Sequence, residues 1–304
     1  MTIHENLEEF AGLPVHDFDE PDGGTPEPEA VAWRVREGGH DTWRDAFLAF
    51  LDSVATDRVE ALVVGWFMAR ADGEDYPGNV LAEFADRLPA LRSLFVGDMT
   101  MEESEISWIV HEDATPLIKA FPRLERLEFR GHLELRFEPF ASESLRTLRF
   151  ESGGLPSGIV KAVAASDLPN LEHLAFWLGD EGYGGDVAMD DLTPFLTGER
   201  LPALRHLGLE NSDFQDEIAA ALAGAPVVAR LESLGLAMGV LTDTGAEALL
   251  SGQPLTHLKS LDLHYNFLSD EMARQMRASL PGVQINLDER RDPEDDGFYI
   301  AVSE

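Results

Sequence analysis

Between Leu231 and Asp270 one pattern of apolar and polar positions occurs twice in succession. Leu231, Leu234, Leu236 and Leu241 precede Thr242 and Asp243, and Leu258, Leu261, Leu263 and Leu268 precede Ser269 and Asp270, with 27 residues between the copies. In the second copy, alternation puts Leu261 and Leu263 on one side of an extended chain and Ser260, Asp262 and His264 on the other. Asn266 falls where that strand ends, and its carboxamide can bond backbone groups that a short strand leaves unpaired. Ser269 or Asp270 is placed to cap a helix in which Met272, Met276 and Leu280 recur at helical spacing and turn back toward the leucines. Each copy is a strand and a helix sharing half a core, and a neighbouring copy completes it.

The triplet recurs along most of the chain. It reads Val59, Leu62, Val64; Leu91, Leu94, Val96; Leu124, Leu127, Phe129; Leu145, Leu148, Phe150; Leu171, Leu174, Phe176; Leu204, Leu207, Leu209; then the two copies above and a degenerate Val283, Ile285, Leu287. The step of 21 residues from Leu127 to Leu148 leaves no room for a full helix, so Gly131 to Glu143 is expected to be irregular or a single turn. Leu88-Pro89, Phe121-Pro122, Leu168-Pro169, Leu201-Pro202 and Leu280-Pro281 end the preceding helices and drive the chain toward extended geometry. The helices between them are expected at 80–88, 115–121, 159–165, 191–196, 217–222, 245–250 and 271–280. Ahead of the repeats, Phe10 to Phe18 and Ala30 to Arg36 read as two strands of a hairpin-like cap around an acidic loop, Asp19 to Glu29. Trp43, Phe47, Phe50, Leu51 and Val54 then predict an amphipathic helix. After Leu287 an acidic spacer leads to a short apolar end, Phe298 to Val302, expected to fold back as a strand or to be disordered.

The Leu-Pro-x-Leu-x-x-Leu-x-Leu returns and the repeat from Leu258 to Asp270 resemble a bacterial leucine-rich-repeat family, common in actinobacteria, with repeats of the long ribonuclease-inhibitor-like type. The resemblance covers nearly the whole chain. It implies an α/β leucine-rich-repeat solenoid, with a curved parallel sheet on the concave side and helices on the convex side. Residues 1–56 would form an N-terminal cap, 57–288 the solenoid, and 289–304 an acidic spacer with a C-terminal strand or tail. Similar proteins tend to be encoded beside radical-enzyme and hydrolase-like genes, which implies an accessory role in a biosynthetic cluster. The resemblance brings no activity with it. Ribonuclease inhibitors proper are cysteine-rich and this chain has no cysteine, so ribonuclease inhibition is not implied.

Composition narrows the function classes. A net charge of −34 argues against nucleic acid and anionic membrane as partners and leaves two readings, attraction to a basic protein or peptide, or solubility. The absence of cysteine removes disulfides, thiolate metal sites and cysteine nucleophiles. No run approaches the roughly 18 apolar residues of a membrane span. Met1 to Phe10 carries Glu5, Glu8 and Glu9 and lacks a signal peptide's basic start and apolar centre, so a cytoplasmic location is expected.

Candidate contacts lie at the strand positions opposite the leucines and in the loops that follow. Phe95, Arg126, Arg130 and Arg149 make an aromatic and basic patch, interleaved with Glu128 and Glu151, whose mutual ion pairing is the simpler reading. His173, Trp177, His206, Glu210 and His264 make a second patch, with Trp177 as the expected anchor for a partner and the histidines tuning affinity. The long loop after residue 97 contributes Asp98, Glu102, Glu103, Glu105 and Trp108, and the loop after Gly179 contributes Asp180, Glu181, Tyr183 and Asp186. The latter lacks the ligand alternation of a calcium loop. No nucleophile stands with a base in any recognised motif. A non-catalytic scaffold holding a protein or peptide, without cofactor, is therefore expected. The alternative is a metal-dependent enzyme or accessory around His173, His206 and the 180–191 loop, and a third reading is a self-assembling structural protein.

Overall fold

A short strand with leucines on one face is stable only when its edges are paired and that face is covered, and stacking successive repeats supplies both. The computed structural model of the chain describes residues 3–19, 26–70, 73, 75–293 and 297–304. Its contacts divide the chain into two units, Ile3–Glu138 with Ser144–Leu148, and Pro139–Glu143 with Arg149–Glu304. Both are built as α/β leucine-rich-repeat solenoid, with strands following one another in chain order and helices between them.

In the first unit the strands are β1 (Glu9–Phe10), β2 (Leu13–Asp17), β3 (Ala32–Val35), β4 (Ala61–Val64), β5 (Ser93–Val96) and β6 (Arg126–Arg130). From β2 onward the pairs are parallel, and Trp33, Leu62, Leu94 and Leu127 are matched from strand to strand. That file is fully buried, and each such side chain contributes about 1.5–3 kcal/mol of transfer free energy. The helices are α1 (Trp43–Ser53), α2 (Pro77–Glu83) and α3 (Thr115–Ala120). Thr42 caps α1 by accepting from the Asp45 N–H, and Trp43 Nε1 donates to the Val35 carbonyl at 3.1 Å, tying the helix to β3. Phe50 of α1 packs on Trp33 at 5.7 Å between centroids, so the helix lies on the leucine side of the strands.

The N-terminal strands differ from their sequence reading. Ala11 (φ 54°) and Gly12 (φ 78°) turn left-handed and split the expected strand into β1 and β2, which pair antiparallel. The hairpin therefore lies within residues 9–17, and β2 runs parallel to β3, with Val15 beside Ala32. Residues 20–25 of the acidic loop and 294–296 of the spacer lie outside the described residues. Gly131 to Glu143 contains no helix, as its short step requires.

Strand β7 (Thr147–Glu151) is divided between the units. The second unit continues with β8 (His173–Gly179), β9 (His206–Ser212), β10 (Ser233–Gly235), β11 (Ser260–Asp262) and β12 (Gln284–Asn286). Leu174, Leu207, Leu234, Leu261 and Ile285 match in parallel register. The helices are α4 (Ser157–Ala165), α5 (Met189–Leu196), α6 (Gln215–Leu222), α7 (Asp243–Ser251) and α8 (Asp270–Ser279). Ser269 caps α8 by accepting from Met272 N–H, and the buried Asn266 carboxamide donates to Leu263 O at 2.7 Å and accepts from Leu268 N–H at 3.1 Å. No helix among the described residues is long and apolar enough to cross a membrane.

Candidate functional site

On the face opposite the leucines the first unit carries an apolar cluster, bordered by charged side chains that pair with one another. Ala32, Ala61, Val63 and Phe95 pack with Phe10, and Leu7, Leu13 and Val15 lie against them. Phe10 and Phe95 meet edge to face at 5.9 Å and are 4% and 1% exposed. Phe95, expected as a solvent-facing contact, is interior because the β1–β2 hairpin folds over it. Asp98, expected on an open rim, is 0% exposed, since Arg34 Nη1 at 3.0 Å, Arg130 Nη1 at 3.2 Å and Leu7 N–H at 3.2 Å converge on its carboxylate. A carboxylate persists out of water only when paired and bonded in this way. Arg130 is buried with it, its guanidinium 5.2 Å above the Phe95 ring, and Arg126 is half exposed, paired to Glu128 at 2.7 Å. Glu103 pairs with Arg36, and Glu102 faces His4 at 3.6 Å on the surface. Trp108, in a single turn at Ile106–Trp108, is 62% exposed and remains available.

The second unit carries polar groups on the corresponding face. Trp177 is buried: Nε1 donates to Glu210 Oε2 at 3.0 Å, and the Arg149 guanidinium lies 5.3 Å above the ring. The expected anchor is thus engaged within its own unit. Glu210 lies across Gly208 and Gly235, where a Cβ at Gly235 would collide with Glu210 Oε1. Burial raises the Glu210 carboxyl above its ordinary range, against the pull of Arg149. His173 and His206 stack with centroids 3.8 Å apart. His206 Nδ1 lies 2.7 Å from Ser233 Oγ, and burial, aided by the Arg149 charge, lowers that imidazole to about 4. Such a ring is a weak base at neutral pH, and among the described residues no carboxylate hydrogen-bonds it, so the Ser–His contact lacks the third member of a nucleophilic constellation. His264 Nδ1 bonds Asp262 Oδ1 at 2.9 Å; that bond raises His264, and although burial pushes Asp262 upward, His264 holds it below the usual carboxylate value.

Past Glu210 the face opens into a pocket of about 500 Å³ lined by His206, Ser233, Ser260, Asp262, Gln284, Asn286 and Asp288, with no lysine or arginine in its wall. On the rim, Asp180 accepts from Gly182 N–H at 2.7 Å and so caps a short turn, and Tyr183 of that turn donates to the Glu304 carboxylate. Among the described residues no group of three His, Asp or Glu is placed to hold a metal ion.

The structure brings His173, Trp177, His206, Glu210 and His264 together around one inner face with Arg149, and keeps Phe95, Asp98 and Arg130 inside the first unit. Sequence reading passed over Phe10 as a cover and Asp262 as the partner of His264. The unbroken apolar run Ala61-Leu62-Val63-Val64 signalled a strand buried on both faces, which required a cover of this kind.

No family model matches the chain, and no curated protein matches it. Among solved structures, a protein from Bacteroides fragilis determined by a structural genomics consortium is 30% identical, with a TM-score of 0.79 over 86% of this chain and 72% of its own. A chain of a TLR13–ssRNA13 complex is 16% identical with a TM-score of 0.38, over 83% of this chain and 34% of its own. With that identity and coverage, the chain belongs to the same family as the Bacteroides fragilis protein, and its architecture is that of a leucine-rich-repeat solenoid.

Proposed function

We propose that this chain is a non-catalytic recognition scaffold that holds an extended, basic peptide or protein segment on the inner face of the Arg149–Glu304 unit. The observation that carries the reading is the pocket across β9 to β12, where in-register strands present His206, Ser233, Ser260 and Gln284 side by side beside the carboxylates of Asp262 and Asp288. A groove crossing several parallel strands suits a ligand that extends across the repeats, and an acidic wall on a chain of net charge −34 favours a cationic one. Such a scaffold fits an accessory role beside biosynthetic enzymes.

The test is binding to an array of extended peptides of graded charge. Ser260→Arg places a cation in the pocket wall and is expected to weaken capture of basic peptides about tenfold or more, with wild-type binding falling as salt rises. Capture of the same peptides at undiminished strength by the variant would refute the reading.

A further inference from the structure

The ends of β9, β10 and β11 form a surface distinct from the inner-face pocket. Asn211, the penultimate residue of β9, and Met238 and Tyr265, just past β10 and β11, recur at a spacing of 27 residues and take φ values of 53°, 66° and 52°. Left-handed backbone at Met and Tyr is uncommon and needs support from its surroundings. Here the three residues meet one extended stretch of the chain's own C-terminal segment. Ala301 N–H donates to Met238 O at 2.8 Å. The buried Asn211 carboxamide makes two bonds to one residue, accepting from Val302 N–H at 3.0 Å and donating to Val302 O at 2.5 Å. Tyr265 OH donates toward Ile300 O at 3.4 Å. Ile300, Ala301 and Val302 are buried, Val302 at 2% exposure, whereas Phe298 and Tyr299 are half exposed and meet the Phe267 ring edge to face.

An amide that satisfies both backbone groups of one residue recognises extended peptide as such, and the burial of Ile300, Ala301 and Val302 beside it selects apolar side chains. We propose that Asn211, Met238 and Tyr265 form a peptide-docking groove, that residues 300–302 are its intramolecular occupant, and that a partner peptide with three successive uncharged, small to medium apolar side chains exchanges with them. Exchange is favoured by how the occupant is held. Residues 298–304 belong to no strand or helix, residues 289–293 ahead of them are exposed, and release disturbs none of the matched leucines. A charge at the Val302 position would be buried without a partner, which sets the chemistry of the ligand.

The experiment uses the full chain and a fluorescent peptide with the sequence of residues 297–304, read by anisotropy. Val302→Asp ejects the internal segment, and the peptide then binds about tenfold or more tighter than to the wild type, because apparent affinity follows the fraction of chains with an empty groove. Adding Asn211→Asp, which keeps the shape and the tolerance for left-handed backbone but removes the donor to the Val302 and Ser152 carbonyls, abolishes that gain, with the circular dichroism of the doubly substituted chain as the folding control. A Val302→Asp chain with wild-type circular dichroism that fails to bind the peptide overturns the proposal, as does a gain that survives Asn211→Asp. If Val302→Asp does not fold, hydrogen exchange on the wild type decides. Amides of Ala301 and Val302 exchanging about 100-fold faster than those of Leu207 and Leu234 show the segment leaving by itself, and exchange at the rate of those strands makes it a fixed cap and overturns exchange.

Discussion

The two units use the same strand pattern and finish the face opposite the leucines in different ways. In Ile3–Glu138 the positions between the leucines include Ala61, Val63 and Phe95, and the chain's own Phe10 closes over them. In Arg149–Glu304 the corresponding positions include His206, Ser233 and Ser260, and these line an open pocket. The contrast teaches that alternation along a strand identifies which residues share a face, while exposure of that face depends on what else the chain lays upon it. A Phe at such a position is core in one unit, and a Ser is solvated surface in the other.

The largest test of this contrast is Phe10→Ala. Removing a large buried ring from the first unit is expected to cost about 3–5 kcal/mol in denaturant unfolding, and a loss under about 1 kcal/mol would show that the hairpin is not part of the core. The next is His206→Gln in the second unit. The folded imidazole sits at about 4 and the unfolded one at its ordinary value of 6.5, so wild-type stability falls as pH drops through that interval, the unfolded chain taking up the proton first. The variant lacks this loss and gains on the wild type by an amount on the order of 3 kcal/mol from pH 7 to 4. Parallel pH–stability curves for the two would mean that His206 is solvated.

His264→Gln has the opposite sign and a smaller size. His264 is raised by Asp262, so its contribution is present below its ordinary value and is lost as pH rises through the folded value. The variant's deficit should therefore be greatest near pH 5–6 and vanish in alkali, at no more than about 1 kcal/mol once solvent screening of this half-buried pair is allowed for. A deficit that grows with pH would contradict the pairing. The smallest effect belongs to Gln284→Ala at the exposed edge of the pocket, where stability should change by no more than about 0.5 kcal/mol. A larger loss there would mean that the open face is packed after all.

The repeats were legible from particular residues. Leu261, Leu263, Asn266 and Ser269 each take the part that their spacing announces, because strand alternation, the Asn turn and the Ser cap are settled within a dozen residues. The candidate site was legible only in part: His206 lines the pocket, whereas Trp177 and Glu210 are engaged with each other. Trp177 was picked out on the correct face, yet its indole is taken up by Glu210, which fits there only because Gly208 and Gly235 on adjacent strands leave room. Tyr183 was placed on a rim, and it reaches Glu304 of the same chain.

By itself the sequence determined the fold class, the register of the repeat strands and where helices fall between them, since each repeat carries its own leucines, caps and prolines and needs only its neighbour to complete a core. Only the tertiary structure decided which faces stay open. Leu7 reaches Asp98 across 91 residues, and Val302 reaches Asn211 across the same separation. No local pattern encodes a contact at that distance, because it exists only once the intervening repeats have stacked and the termini have found apolar surface left uncovered.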